Sequence, residues 1–177
     1  MAAGSNRVPE RLINFRVYND AQDVIGIANV TLPTLESMTE TTSGAGVAGE
    51  VESPILGHYG SMELVLSWRT VSEKVAALAA QKSHSLDIRG SQQIYDASRG
   101  VYETQAVKLS VKGVPKSTNL GTFEVNATTD SETTLELTYL KLDVGGKTQI
   151  EVDKFNFIAK FGDEDVLESS RKDLGLA

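Results

Sequence analysis

The sequence predicts a mainly β protein: an antiparallel β-sandwich or barrel-like domain with one flanking α-helix. Several segments alternate apolar and polar residues with the period of a half-buried strand. Short clusters of turn-forming residues separate these segments, and only one long segment has the apolar period of a helix. Because 177 residues with 40% hydrophobic content suffice for one core, we expect a single domain over residues 1–177.

Alternation predicts the first strands. Apolar residues occupy every second position in residues 13–18, and the turn-rich stretch 19–23 leads into a second apolar segment that ends at Pro33. This pattern predicts a hairpin. Residues 61–68 alternate again and predict a strand with one apolar face. The side chains expected on that face are Met62, Leu64, Leu66 and Trp68.

One segment has helical character. Residues 70–82 are rich in alanine, and their larger apolar side chains fall on one helical stripe. Thr70 followed by Glu73 fits a capping box, so we expect a helix of about three turns. We expect this helix to cover an edge or end of the β core and to have no catalytic role.

Five further strand patterns follow the helix. They are SLDIRGSQQIY, YETQAVKLSVKG, GTFEVNAT, TTLELTYLKLDV and KTQIEVDKFNFIAKF. The pair Gly145-Gly146 between the last two predicts a two-residue hairpin. The tail from residue 163 predicts a short helix close to the end of the chain.

A long polar segment at residues 34–60 interrupts the strand patterns. Loops of this length are uncommon in compact domains and are usually functional or disordered. Its centre, GAGVAG at residues 44–49, has the G-x-G-x-x-G spacing of a dinucleotide-binding turn. That turn requires a buried strand before it and a helix after it, whereas polar residues precede this one and Pro54 with two glutamates follows. The segment is therefore interpreted as a flexible or interface-forming loop.

The composition points away from catalysis. A formal net charge of -7 disfavours binding to phosphate backbones, and a chain without cysteine has no thiolate chemistry. His58 is expected to be an exposed loop residue, and His84 a partner of the carbonyls at the helix C-terminus. The acidic stretch 163–165 lacks the ligand spacing of a calcium loop and is interpreted as a solvated turn. We expect no enzyme activity, no cofactor and no metal.

The sequence also predicts no membrane anchor. The N-terminal stretch lacks an apolar core long enough for a signal peptide. No stretch approaches the roughly 20 apolar residues that span a bilayer. We therefore expect the protein to fold in the cytoplasm of the cell that makes it.

Three stretches, in order along the chain, resemble the major tail tube proteins of contractile-tailed bacteriophages. They are ANVTLPTLE, SGAGVAGEVE and the C-terminal stretch from Leu135 to Leu176. The motifs of the family fall here on Thr31-Leu32-Pro33, Gly44-Ala45-Gly46, Gly145-Gly146, Asp153, and Arg171 with Gly175-Leu176. One position departs from the family: members often carry an aromatic–basic pair before the GAG motif, where this chain has Thr42-Ser43.

The resemblance implies a structural subunit that forms hexameric rings, which stack into the hollow inner tube of a contractile tail. It implies a location in a virion or phage-tail-like particle assembled in the bacterial cytoplasm. The implied partners are further copies of the chain, the tail sheath protein, a baseplate hub and a tail terminator. A tape-measure protein and DNA would pass through the lumen without specific binding.

Two sets of candidate residues follow from this resemblance. Residues 34–60 become an assembly loop that orders on a neighbouring subunit or ring. Its candidate contact residues are Gly44, Ala45, Gly46, Val47 and Gly49. Glu132 and Glu136, on the same side of one predicted strand, are candidate lumen-facing acids.

Other functions remain open at this point. A headless phage-tail-like bacteriocin uses the same kind of tube, and a type VI secretion inner-tube protein is a related alternative. A ligand-binding β-barrel module would instead have a closed apolar cavity and stay monomeric. An enzyme would show a cleft with converging ionisable groups.

Overall fold

A computed structural model describes residues 6–20, 22–23 and 26–176. Short turns join most of the strands, and two helices of one to two turns complete the fold. The elements are β1 (Arg7–Asn19), β2 (Gln22–Asp23), β3 (Ile27–Thr31), β4 (Ser37–Ser43), β5 (Glu50–Tyr59), β6 (Glu63–Trp68), α1 (Glu73–Leu78), β7 (His84–Asp96), β8 (Val101–Asn119), β9 (Ser131–Val144), β10 (Lys147–Asp153), β11 (Ile158–Phe161), β12 (Glu164–Asp165) and α2 (Glu168–Asp173).

Ten strands form one antiparallel sheet that folds over on itself. Strand β9 pairs with β6 along its first half and with β10 along its second half. Strand β8 pairs with β9 along much of its length, and its register shifts at Gly113, where the pairing with β7 also ends. Two layers result. The larger layer contains β7, β1 and β10, and the four-strand layer has the order β3-β6-β9-β8.

The core lies between these two layers. Strand β6 alternates half-buried and buried residues along its whole length, as the sequence predicts. Its buried face packs with apolar side chains of β7, β8 and β9 and with Val75 and Leu78 of α1. The prediction of a mainly β sandwich-like domain is confirmed, because the sheet stays open at its edges and strands dominate the fold.

Three local predictions differ from the structure. Strand β3 pairs with β6, so the hairpin expected between residues 13–18 and the following segment is limited to the short pairing of β1 with β2. The part of that prediction at residues 21, 24 and 25 lies outside the described residues. The segment GTFEVNAT forms no strand and is an irregular loop. Helix α1 is shorter than the predicted 70–82, because the chain turns after Ala79 to begin β7 at His84.

The ends of α1 also differ in detail from the expectation. The N-cap residue is Ser72, and no side-chain hydrogen bond caps the helix, so Thr70 and Glu73 form no capping box. The prediction for His84 is confirmed: its ring is buried, and Nε2 lies 3.0 Å from the carbonyl oxygen of Ala80, directly after the helix. Among the described residues, no helix is long and apolar enough to cross a bilayer.

Candidate assembly surfaces

The segment expected to be an assembly loop is an extended β-hairpin. Strands β4 and β5 pair with each other and with no other described strand. Every residue from 36 to 56 is exposed. A lone two-stranded hairpin is marginally stable in water. The β-branched residues of β4 and β5, mostly threonines, favour extended backbone and explain why these segments form strands.

The glycine-rich motif forms the turn of this hairpin. Gly44, Gly46 and Gly49 all have positive φ, between 94° and 128°, and a Cβ atom at any of them would meet no atom within 4 Å. The glycines are therefore required by the backbone conformation of the turn and not by crowding within the subunit. Ala45 and Val47 lie in the same exposed turn. No strand precedes a helix here, so the arrangement differs from a dinucleotide-binding turn.

The hairpin carries exposed apolar side chains, among them Met38 of β4 and Val51 and Ile55 of β5. Register pairs Thr42 with Val51 and Glu40 with Ser53, so Val51 shares its side of the hairpin with Glu40 and Thr42, and Glu50 and Glu52 lie on the opposite side. The register shifts between Ser37 and Thr39, beside Met38. We call Met38, Val51 and Ile55 together the apolar hairpin face.

A polar cluster fixes the base of the hairpin to the four-strand layer. Ser61 Oγ donates a 2.5 Å hydrogen bond to Glu136 Oε2, and the backbone N–H of Met62 donates to Oε1 at 3.3 Å. Lys154 Nζ lies 3.6 Å from Glu136 Oε1 and donates to the carbonyl oxygen of Gly60 at 2.6 Å. Glu136 therefore holds the junction between β5 and β6 in place.

Glu132 and Glu136 lie on the same side of β9 but in different surroundings. Glu132 is exposed, whereas Glu136 is half-buried and contacts two lysines, Lys116 and Lys154. Lys116 also donates a hydrogen bond to Glu63, which faces Glu136 across the strand pair. This bond lowers the pKa of Glu63 and raises the pKa of Lys116. The side of the layer away from the core, which we call the polar face, is thus partly neutralised.

We expect Glu136→Gln to loosen the hairpin base, because an amide accepts weaker hydrogen bonds and no longer pairs with Lys154. Hydrogen exchange of the amides in residues 57–62 should become faster than in the wild-type subunit. The matched control is Glu132→Gln, which removes the same charge from the same side of β9 without touching the hairpin. Equal exchange in the two variants would show that Glu136 does not anchor this junction.

The four-strand layer has two free edges. Among the described strands, β3 pairs only with β6, and β8 beyond Gly113 pairs only with β9. The four strands alternate in direction, because each pair within the layer is antiparallel. Strands β3 and β8 therefore run in opposite directions at opposite edges of the layer. Exposed edges of this kind are ready to pair with another chain.

An apolar groove lies behind the edge strand β3. It has a volume of 340 Å³ and lies between β3 and the larger layer. Its apolar lining includes Leu12, Phe15, Val30, Leu32, Ile88 and Leu109. The groove follows a free strand edge, so a chain that paired with β3 would cover it.

The C-terminal segment braces the base of the hairpin from the other side. Tyr59 and Phe161 pack with ring centroids 6.3 Å apart, and the backbone of Gly57 lies against the side chain of Leu167. Arg171 then fastens this segment, since it donates to Asp165 Oδ2 at 2.5 Å and to the carbonyl oxygen of Phe157 at 2.7 Å. Asp165 is thus paired and largely buried, unlike the solvated turn expected from the sequence.

The bond from Arg171 holds the pKa of Asp165 below its usual range. A carboxyl group with a lowered pKa in the folded state adds stability that is present above the unfolded pKa, about 3.9, and is lost as the pH falls below it. We expect acid to release the C-terminal segment below about pH 4. In Arg171→Ala the segment should already be loose at neutral pH, with a weaker pH dependence. Limited proteolysis near α2 as a function of pH measures release of the segment in the wild type and in Arg171→Ala. Parallel pH profiles of the two proteins would contradict the role of the Arg171–Asp165 pair.

Sequence reasoning missed the contacts that join these parts. The sequence identified Glu136 only as a candidate lumen-facing acid, since nothing local predicts that Lys154 reaches it from the turn after β10. Asp153 accepts the backbone N–H groups of Phe155 and Asn156, so this motif residue shapes the turn between β10 and β11. Aspartate side chains often accept the backbone N–H groups two and three residues further along a turn. The aspartate itself is therefore the one local signal that predicts this turn.

An open sandwich with a projecting hairpin and two edges that pair with no other described strand belongs to the class of folds that offer strand edges to other chains. Comparison with known families gives the more specific assignment. The model of the family described as phage tail tube protein FII matches residues 9–175. The chain belongs to this family of structural proteins, and it is a phage-type tail tube subunit.

Individual relatives agree with this assignment. The tail tube protein of Escherichia phage P2 is 31% identical over 174 residues, which cover 96% of this chain and 99% of that protein. The major tail tube protein of Serratia phage KSP20 is 25% identical over 154 residues, 86% of this chain and 88% of that protein.

Two solved structures share the fold. A chain of the sheath–tube complex of an extracellular contractile injection system, PVC, in its extended state matches with a TM-score of 0.55 and 16% identity, over 76% of this chain and 91% of that one. A chain of the sheath/tube terminator structure of that system matches with a TM-score of 0.52 and 18% identity, over 76% and 96%.

Proposed function

We propose that copies of this chain pair edge to edge into hexameric rings, which stack into the inner tube of a contractile phage tail or phage-tail-like particle. The observation that carries the proposal is the pair of free, oppositely directed edges of the four-strand layer. In this proposal the protein has a structural role and no enzymatic activity.

Strand direction makes ring closure possible. When β8 of one copy lies beside β3 of the next, the two strands run antiparallel, as do all pairs within the layer. Each copy then uses one edge to bind and offers the other, which is a head-to-tail contact that closes into a ring. The layers of all copies join into one continuous barrel without a free edge.

The polar face is the natural wall of the channel. The opposite side of this layer packs in the core of each subunit, so within the layer the face with Glu63, Glu132 and Glu136 is the one free to line a lumen. The carboxylate of Glu132 contributes negative charge, whereas Glu63 and Glu136 are balanced in part by Lys116. A wall with a small excess of negative charge repels DNA weakly and lets it slide. A tape-measure protein would pass the same wall.

The remaining partners belong to the same proposal. The larger layer, on the other side of the core, would face the sheath. The two ends of the tube would meet a baseplate hub and a tail terminator. Assembly would take place in the bacterial cytoplasm.

Negative-stain electron microscopy of the purified protein tests the proposal. Six-membered rings or hollow tubes are the expected result. A monomer that persists at high protein concentration, with neither rings nor tubes, would overturn it.

We expect Gly44→Phe or Gly46→Phe to leave a soluble, folded subunit that no longer polymerises. The turn is open within the subunit, so the phenyl ring clashes only with a neighbouring copy, although positive φ adds some local strain. Gly146→Phe is the matched control, because it is also an open glycine with positive φ, in the turn between β9 and β10. Normal tubes from the Gly44 and Gly46 variants would count against a role of the hairpin turn in assembly.

A further inference from the structure

The segment that the sequence predicts as a strand, GTFEVNAT, is an exposed loop at the end of β8. Its apolar side chains are among the most exposed of the described residues: Phe123 is 90% exposed, Val125 88% and Leu120 60%. Apolar side chains with this exposure indicate a contact that the isolated subunit does not make. We call residues 120–130 the apolar loop.

Backbone hydrogen bonds fix the base of the apolar loop, whereas its tip is exposed. The backbone N–H of Thr122 donates to the carbonyl oxygen of Thr129 at 2.9 Å, and that of Thr129 donates to the carbonyl oxygen of Arg69 at 2.9 Å. Gly121 has a φ of 78°, and a Cβ atom there would lie 1.8 Å from the oxygen of Thr129, so only glycine fits. A loop that is ordered before binding loses little entropy on docking.

Strand direction places the apolar loop and the hairpin at opposite ends of the four-strand layer. The loop joins Asn119 to Ser131, and Ser131 pairs with Trp68 at the end of β6. The hairpin joins the layer at the other end of β6, beside Glu63. The two exposed apolar features of one copy therefore leave the layer at opposite ends.

We propose that the apolar loop of one copy docks on the apolar hairpin face of a copy in the next ring. The proposal rests on the proposed function, because in stacked rings of one orientation the loop end of each layer meets the hairpin end of the next. Phe123 and Val125 then pack against Met38, Val51 and Ile55, so that both patches leave water.

One contact between the apolar loop and the apolar hairpin face is too small to hold two single subunits together, whereas six such contacts can hold two rings. Two or three side chains on each partner bury a few hundred Å², which is below the roughly 1,000 Å² of a stable pairwise interface. Six such contacts made at once by a ring exceed that value, because after the first one each further contact is intramolecular. Stacking therefore requires preformed rings, and single subunits do not pair through the loop.

The first experiment is a loop variant, Phe123→Ser with Val125→Ser. Both side chains are almost fully exposed, so the variant should fold as the wild type does. We expect rings to remain and the protein concentration needed for tubes to rise at least about tenfold. Phe155→Ser is the matched control, a phenylalanine 78% exposed in the turn after β10. Normal tubes from the loop variant, or an equal loss in the control, would overturn the docking.

A cross-link locates the contact. The chain has no cysteine, so no native thiol competes with the paired substitutions. Val125→Cys is combined in turn with Met38→Cys, Val51→Cys and Ile55→Cys, and tubes are oxidised mildly. A disulfide requires Cα atoms within about 7 Å, so at least one pair should give a ladder of covalent oligomers that the single-cysteine variants lack. No ladder from any pair in intact tubes would overturn the docking and leave the tube function standing. A wild-type protein without rings or tubes would instead remove the proposed function.

Discussion

Trp68→Ala should destabilise the subunit by about 3–5 kcal/mol, the range for removing a large buried aromatic side chain. Trp68 is 1% exposed, and it lies on the core face of β6 between the two layers. Its indole N–H donates to Thr133 Oγ1 at 3.1 Å, so truncation leaves a cavity and also removes the donor to this buried hydroxyl. Urea unfolding followed by circular dichroism, on subunits kept unassembled, measures the loss.

Trp68→Phe separates the two contributions. Phenylalanine fills much of the space but cannot donate to Thr133, so the loss should be smaller, about 1–3 kcal/mol. Assembly must be prevented in these measurements, because stability of a polymerising protein depends on its concentration. A loss below about 1 kcal/mol for the alanine variant would show that Trp68 does not pack in the core as described.

A proline in the free edge of β8 should abolish ring formation without unfolding the subunit. Ser117 and Thr118 pair with β9 on one side, and no described strand pairs with the other side of β8 here. Successive N–H groups of an edge strand point to opposite sides, so one of these two donates toward β9 and the other points outward. Proline has no backbone N–H. At the position whose N–H points outward, a proline therefore leaves the bonds within the subunit intact and removes the bond to the neighbouring copy.

The two variants, Ser117→Pro and Thr118→Pro, control each other. The one whose unfolding midpoint stays close to that of the wild type marks the outward N–H, and we expect this variant to form no rings in the microscope. The other should unfold more easily, because it loses a bond within the sheet. Rings from the stable variant would mean that β8 does not pair between copies.

The strands could be predicted wherever one face is buried within the subunit. Residues 61–68 gave β6 and Gly145-Gly146 gave the hairpin of β9 with β10, because local alternation and turn chemistry decide both. The partner of β3 could not be predicted, since the hairpin β4–β5 separates it in sequence from β6. Pairing across such an insertion depends on packing of the whole core and not on a local pattern.

The sequence likewise predicted some features of the candidate assembly surfaces and not others. The position of GAGVAG in a projecting turn could be inferred from its polar surroundings, but the pairing of β4 with β5 could not, because both faces of that hairpin carry polar residues. The strand predicted for GTFEVNAT was wrong, since the segment is an irregular loop in which Phe123 and Val125 are exposed. Alternation of apolar and polar residues does not by itself distinguish a strand from such a loop.

The even number of strands in the four-strand layer has a consequence for growth of the tube. With four alternating strands, every copy enters the ring in the same orientation, so antiparallel pairing is kept for any number of copies. The proposed docking of loop on hairpin would then give all stacked rings the same polarity, and the filament would have two chemically different tips. One tip would display hairpins and the other apolar loops, so a single capping protein would not fit both, and elongation at the two tips would proceed at different rates.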